Sequence, residues 1–301
     1  MFQKHDTGAH PENAVRLLPA IRHLDSLSID ARYQRPAWEP VTRERLLYVH
    51  TASHIDKLRD FAAAGGGFIE QDTVVCPQSF DVASMAAGAV CDAVERVCRQ
   101  ESQSAFCLVR PPGHHAAADH PAGFCLFNNI ALGARLATEE LGYERVLIVD
   151  WDVHHGDGTQ AIFYEDAKIG YFSMHRDPFY PFTGMRNQTG AGAGMGTTKN
   201  IPVLFGTTRE AQRKLFEHEL SIFAETIRPQ LVLISAGFDG HKDDPIGSLG
   251  LEASDFAAFT RSAVAIANLH ADGKIVSVLE GGYDPEALAA CIEAHLAALV
   301  E

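Results

Sequence analysis

This 301-residue chain predicts an α/β fold built on one mainly parallel sheet with helices on both faces. Short apolar runs, such as Val146-Leu147-Ile148-Val149, Leu231 to Ser235 and Ile275 to Leu279, alternate with longer stretches whose apolar positions recur at helical spacing. Continuously apolar strands belong to sheets that are covered on both sides. Four polar or glycine-rich motifs each follow one of these runs, and ligands of such sheets bind beyond the carboxyl ends of the strands. No Pro/Ser-rich linker, low-complexity tract or internal repeat interrupts the pattern, which predicts a single domain over residues 1–301.

In chain order, Glu12 to Leu27 reads as a helix, and Arg43 to Ala64 as two more short ones. Ala64-Gly65-Gly66-Gly67 ends that region, and Asp72 to Pro77 reads as a loop. Val82, Met85, Ala86, Ala89, Val90, Ala93 and Val97 place a helix over Asp81 to Arg99, with Ser79 or Asp81 as its cap. Ala105 to Val109 reads as a strand. Asn128 to Leu141 reads as a helix, with Gly142 where a terminating glycine belongs. Strands follow at Arg145 to Asp150 and Lys168 to Ser173, then a Gly/Pro-rich loop from Pro178 to Gly196. A helix from Arg209 to Ile227 stops before Pro229; Leu231 to Ser235 and Ile275 to Leu279 are strands, with a helix over Ser254 to His270 between them. Glu286 to Val300 is the closing helix.

The chemistry concentrates in Val149-Asp150-Trp151-Asp152-Val153-His154-His155-Gly156-Asp157-Gly158. On an extended chain Asp150, Asp152 and His154 project to one side. Two carboxylates and an imidazole crowded together need a cation between them, and a divalent metal is the simplest one. Asp152 and His154 need at least one further ligand, and Asp239 of the motif Ala236-Gly237-Phe238-Asp239-Gly240 is the natural choice. Three protein ligands leave a position open for water or substrate, as in catalytic zinc sites. The oxygen-rich set also suits Fe(II), Co(II) or Mn(II).

The tandem His114-His115 supplies two imidazoles from a neighbouring strand end, and histidine is the natural general base at neutral pH. Asp150 and Asp157 are available to fix their tautomers. Tyr283, after Gly281-Gly282, is placed to donate a hydrogen bond to an oxyanion. Phe124 and Tyr180 are candidate walls.

The formal net charge of −14 argues against a general nucleic-acid binder and favours cationic partners. Apolar stretches are shorter than a membrane span, and the N-terminus lacks the apolar core of a signal peptide. Six cysteines without a C-x-x-C pair predict a reduced, cytoplasmic protein. The oligomeric state is left open, a homo-oligomer included.

R-P-P-G-H-H-A at 110–116, G-F-C-x-F-N-N at 123–129, V-D-W-D-V-H-H-G-D-G-T-Q at 149–160, S-A-G-F-D at 235–239 and L-E-G-G-Y at 279–283 together resemble the zinc-dependent histone deacetylases. The likeness is to the class II type, which includes bacterial histone-deacetylase-like amidohydrolases, and extends to H-D-T-G at 5–8 and H-P-E at 10–12. It implies the arginase/deacetylase fold and hydrolysis of acyl-lysine amides. By motif, Asp152, His154 and Asp239 match the zinc ligands, His115 the general base with Asp157 as partner, and His114 a second histidine paired with Asp150. Tyr283 matches the catalytic tyrosine, Phe124 and Tyr180 the tunnel aromatics, and Gly123 a backbone contact to substrate. Thr73 falls where relatives place a hydroxyl near the substrate amide, and Gly281 and Gly282 border the same site. The resemblance also implies structural potassium, at Asp150, Asp152, His154, Ser173 and Met174, and at Phe163, Asp166, Ile169 and Thr197. Relatives carry an apolar strand before H-D-T-G, whereas this chain begins almost at that segment.

Three functions compete: a deacylase of acyl-lysine in proteins or peptides, an amidohydrolase of small acylated amines such as acetylpolyamines, and a weakly active acyl-lysine binding module. Tyr283 argues against the third. A binuclear manganese hydrolase would need further carboxylates where this chain has the histidine pair.

Overall fold

The computed structural model describes residues 1–26 and 33–301. Six parallel strands form the central sheet: β3 (Ser104–Cys107), β4 (Val146–Asp150), β5 (Ile169–Arg176), β6 (Thr198–Val203), β7 (Leu231–Ala236) and β8 (Ile275–Leu279), in the order β3-β8-β7-β4-β5-β6. A separate antiparallel hairpin joins β1 (Gly67–Glu70) to β2 (Thr73–Val75).

Alternation along the strands splits the core in two. Leu147, Val149, Val232 and Ile234 face one side of the sheet, packed with α1 (Leu17–Ser26), α7 (Arg209–Ile227), α8 (Ala253–His270) and α9 (Pro285–Leu299). Val146, Ile148, Leu231, Leu233, Val276 and Val278 face the other, with α2 (Arg43–Leu46), α3 (Ala52–Ala63), α4 (Ser79–Cys98), α5 (Asn129–Glu139) and Phe163 of α6 (Asp157–Phe163). Both faces of the central strands are therefore apolar, which is why these strands read as unbroken apolar runs.

The register sets the position of the site. Asp150 at the end of β4 is level with Ser235 on β7 and Ser173 on β5, and Ala236 is level with Leu279 on β8. The segments leaving β4, β7 and β8 thus emerge side by side at one sheet edge.

Several expectations need correction. The segment from Asp72 is not a simple loop, because Thr73 to Val75 pairs with Gly67 to Glu70. Strand β6 and helix α6 carry no sequence signal of their own. The first is a six-residue edge strand containing Lys199 and Pro202, and the second is a seven-residue helix opening inside the metal motif. Neither Ser79 nor Asp81 caps α4. Its N-cap is Gln78, without a side-chain bond, and Ser79 Oγ instead accepts from the Cys76 N–H at 2.7 Å. The helix read over Glu12 to Leu27 is a short 3-10 turn followed by α1, and Leu27 lies outside the described residues. The strand read over Lys168 to Ser173 continues to Arg176, and the one read over Ala105 to Val109 ends at Cys107. A 3-10 turn at Gly192–Gly194 lies within the Gly/Pro-rich loop, whereas α7 and β8 fall as the pattern predicts.

Candidate metal centre and active site

The segment after β4 bends rather than staying extended. Asp150 Oδ1 accepts from the Asp152 N–H at 3.1 Å, and Asp152 Oδ1 from the His154 N–H at 2.9 Å. These two consecutive Asp-centred turns redirect the side chains. Asp150 therefore faces His114 and the Tyr171 hydroxyl, at 3.1 and 3.0 Å, while Asp152 and His154 turn toward Asp239.

Ligand atoms of Asp152, His154 and Asp239 all lie within 4.8 Å of one another, and the three residues are buried. His154 Nδ1 is 3.0 Å from Asp152 Oδ1 and 3.1 Å from Asp239 Oδ2. Only the first has hydrogen-bond geometry; Asp239 Oδ2 is a buried oxygen with no hydrogen bond. The other carboxylate oxygens are tied to backbone: Asp152 Oδ2 to the Gly281 N–H and Asp239 Oδ1 to the Val153 N–H, both at 2.9 Å. A buried acceptor left without a donor is costly, and two carboxylates aimed at one imidazole nitrogen form a set that a divalent cation completes. The residues fit a metal.

Glycine is required beside this set. A Cβ on Gly281 would lie 2.1 Å from Asp239 Oδ2 and 2.7 Å from Asp152 Oδ2. Gly123 and Phe124 both adopt left-handed backbone, at φ 52° and 72°, and a Cβ on Gly123 would lie 2.3 Å from His115 Cδ2. For a phenylalanine this conformation costs of order 1–3 kcal/mol. The Phe124 N–H is held by Thr73 Oγ1 at 3.2 Å. Thr73 is itself buried and donates to Asp72 Oδ1 at 3.0 Å, so its hydroxyl supports Phe124 from behind instead of facing open space.

His114 and His115 stand with ring centroids 4.1 Å apart but in opposite electrostatic settings. Burial alone would lower His114, yet the Asp150 and Asp152 charges outweigh it and hold the ring protonated, well above its ordinary range. Burial and the adjacent His114 push His115 down to about 4, with Asp157 working against them. His115 Nδ1 is 2.7 Å from Asp157 Oδ1. A carboxylate only accepts, so Nδ1 carries the proton and Nε2 keeps its lone pair.

Aromatic rings surround this group. Tyr180 approaches His115 and His154 edge-on at 5.2 and 6.0 Å, and Phe124 meets Tyr283 edge-on at 5.8 Å. The Tyr283 N–H is anchored by Asp244 Oδ2 at 2.7 Å, and the Arg16 guanidinium lies 4.7 Å from the ring centroid. Burial pushes the phenol well above its ordinary pKa, against the pull of Arg16, so it stays a proton donor.

Several supporting residues lie in or beside the motifs without a role that the sequence assigns. Glu280 Oε2 accepts from the Gly113 and His114 N–H groups at 2.6 and 3.2 Å. Glu12 accepts from Arg110 at 2.8 Å and from Arg16 at 3.1 Å, and Arg16 donates to the carbonyls of Glu280 and Gly282. Apart from the local Glu12–Arg16 pair, these partners are distant in sequence, so only the fold reveals them. As to the residues matched to potassium, Asp150 and Ser173 are register partners, with Met174 next along β5. Asp166 donates its N–H to the Phe163 carbonyl and receives the Thr197 hydroxyl at its own carbonyl; Thr197 in turn accepts from Tyr171, two residues beyond Ile169.

The histone deacetylase domain matches residues 10–299. The chain belongs to the histone deacetylase family. A probable deacetylase of Archaeoglobus fulgidus is 40% identical over 288 residues, 95% of this chain and 80% of that protein. A histone deacetylase-like amidohydrolase of Pseudomonas aeruginosa is 37% identical over 262 residues, 86% of this chain and 69% of that one. The crystal structure of the HDA15 HD domain superposes with a TM-score of 0.92 at 32% identity, covering 99% of this chain and 88% of that one. The fold is the arginase/deacetylase fold, and family membership makes the chain a hydrolase of the deacetylase/amidohydrolase kind. Among the described residues no helix is long and apolar enough to cross a membrane.

Proposed function

We propose that residues 1–301 form one catalytic domain that hydrolyses acyl-lysine amides, using a divalent metal, zinc first among the candidates, held by Asp152, His154 and Asp239. The observation that carries this reading is His115, hydrogen-bonded through Nδ1 to Asp157 at 2.7 Å, beside the three convergent ligand groups. When bound, the metal supplies a Lewis acid that polarises the amide carbonyl and acidifies water.

The protein's own groups do the rest. His115 Nε2 takes the proton of the attacking water, and the imidazolium formed is stabilised through Nδ1–H by Asp157. The same nitrogen then returns a proton to the departing lysine amine. His114, held charged by Asp150, adds positive potential close to the developing anion. Tyr283 donates a hydrogen bond to the acyl oxygen, an interaction that strengthens as charge builds there. Phe124 and Tyr180 line the approach and suit a slim aliphatic stem. Gly123, Gly281 and Gly282 let the backbone come close to the acyl group, and Thr73 keeps Phe124 in place.

The two groups Asp150, Asp152, His154, Ser173, Met174 and Phe163, Asp166, Ile169, Thr197 are our candidates for structural K⁺. Six free cysteines suit a reducing cytoplasm. The substrate is an acyl-lysine peptide or protein, with small acylated amines as the alternative. A turnover panel decides between them: acetyl-lysine peptide, trifluoroacetyl-lysine, longer acyl-lysines and acetylputrescine. Turnover of the lysine substrates supports the proposal, turnover of acetylputrescine alone favours the small-amine reading, and inertness toward all four overturns both.

A further inference from the structure

We propose that Arg176 and Phe179 are positioning residues for His154, setting the orientation of its imidazole and so the affinity of the centre for its ion. The inference rests on the proposed role of His154 as a metal ligand.

A metal-ligating histidine almost always donates its second ring N–H to a carboxylate, carbonyl or water, which fixes the ring. His154 turns Nδ1 toward Asp152 and Asp239, and among the described residues no hydrogen bond holds Nε2. With no side chain or carbonyl on Nε2, what the protein itself contributes to the orientation comes from the ring neighbours. Phe179 stacks on it, with centroids 5.1 Å apart and planes 19° off parallel, while His115 and Tyr180 meet it only edge-on.

Phe179 sits in the Gly/Pro-rich segment after β5 and is steadied by Arg176, the last residue of that strand. The Arg176 guanidinium lies 4.3 Å from the Phe179 centroid and 4.6 Å from that of Phe205. A planar guanidinium against aromatic faces is a favourable contact. Arg176 is also joined to both ligand-bearing segments. Its backbone N–H donates to the carbonyl of Val153, next to His154, at 2.9 Å. Its Nη1 donates to the Gly247 carbonyl at 3.1 Å, and the neighbouring Ser248 N–H donates to the Asp239 carbonyl at 2.7 Å. One side chain thus couples the ring behind His154 to the loop that leaves Asp239.

The test is metal affinity, measured by competition between the full chain and a chromophoric chelator for Zn²⁺. The Co²⁺ absorption spectrum and the melting temperature of the metal-free protein are recorded beside it. Arg176→Met and Phe179→Leu should each weaken Zn²⁺ binding by about 10–100-fold, the usual effect of losing an orienting partner. They should also change the Co²⁺ spectrum, with Phe179→Tyr restoring both. Phe205 is 65% exposed, so Phe205→Ala should fold normally. It should weaken binding by ~2–5-fold, the scale of an exposed cation–π contact. Zn²⁺ affinity and Co²⁺ spectrum like wild type in Arg176→Met and Phe179→Leu overturn the inference, as does a loss of metal-free melting temperature with affinity unchanged. If Arg176→Met does not fold, Phe205→Ala decides by the same two readouts. Asp239→Ala separates the two levels: full metal content in that variant removes the metal reading itself, whereas its loss of metal beside an unaffected Arg176→Met removes only the role of Arg176.

Discussion

His115 and Asp157 share a 2.7 Å hydrogen bond across a gradient of exposure, the imidazole being 4% exposed and the carboxylate 33%. The ring thus lies inside the site while its counter-charge reaches toward solvent at the start of α6. Burial and the adjacent charged His114 keep His115 neutral, which is the form a base needs.

Replacing His115 by alanine should leave the fold and the metal centre intact and lower kcat by ~10²–10⁴-fold, the usual contribution of a positioned acid–base group. Metal content and kcat measured on the same preparation check this. A variant within threefold of wild type would move the base role elsewhere, with His114 the first candidate.

For Tyr283→Phe, metal and hydroxamate binding should persist while turnover of acetyl-lysine falls by about 10²–10³, as expected for removal of one oxyanion donor. The loss on trifluoroacetyl-lysine should be smaller, because that carbonyl depends less on the donor. Equal activity of variant and wild type on acetyl-lysine would refute the oxyanion role.

Gly281→Ala tests the geometry of the centre. The added methyl would sit 2.1 Å from Asp239 Oδ2, the oxygen without a hydrogen bond. We expect a folded protein that purifies with little metal. Wild-type stoichiometry, measured by elemental analysis, would show that Asp239 Oδ2 is not needed by the ion.

A pH dependence of stability follows from His295, buried between α9, α8 and β8. The Thr260 hydroxyl donates to the Phe256 carbonyl, so it accepts from His295 Nδ1, and Nε2 accepts from Ser277 Oγ at 2.8 Å. Protonation would destroy the second bond, and burial pushes the ring down to about 3 from an ordinary 6.5. The unfolded chain therefore binds this proton more readily. The stabilisation from His295 is complete above 6.5 and is lost toward 3 as pH falls, at ~1.4 kcal/mol per pH unit. Unfolding free energies of wild type and His295→Gln should differ most at neutral pH and converge on acidification. A difference constant from neutral pH down to pH ~5, about 1.5 units under the ordinary histidine pKa, would contradict this.

How legible all this was depended on how local each signal is. Helix α7 and strand β8 announce themselves because their patterns are long or unbroken, and Asp152, His154 and Asp239 because each follows a strand directly. What lay hidden depends on long-range pairing. Strand β6, with Pro202, has meaning only beside β5, and Thr73 to Val75 only beside Gly67 to Glu70. Glu280 and Glu12 are single acidic residues whose bonds to Gly113 and Arg110 span 167 and 98 positions. Strand alternation reaches only to Asp150 at the end of β4; beyond it Asp-centred turns set the directions of Asp152 and His154, which a period-two pattern does not describe.

The most direct test of the account is metal reconstitution. The protein is stripped with a chelator and dialysed, and Zn²⁺ is added back while hydrolysis of an acetyl-lysine peptide is followed. With one metal held by Asp152, His154 and Asp239, there should be no turnover without metal, a linear rise to a plateau at one equivalent per chain, and no rise for Asp239→Ala. Full turnover by the metal-free protein, or an Asp239→Ala titration that matches wild type, would contradict it.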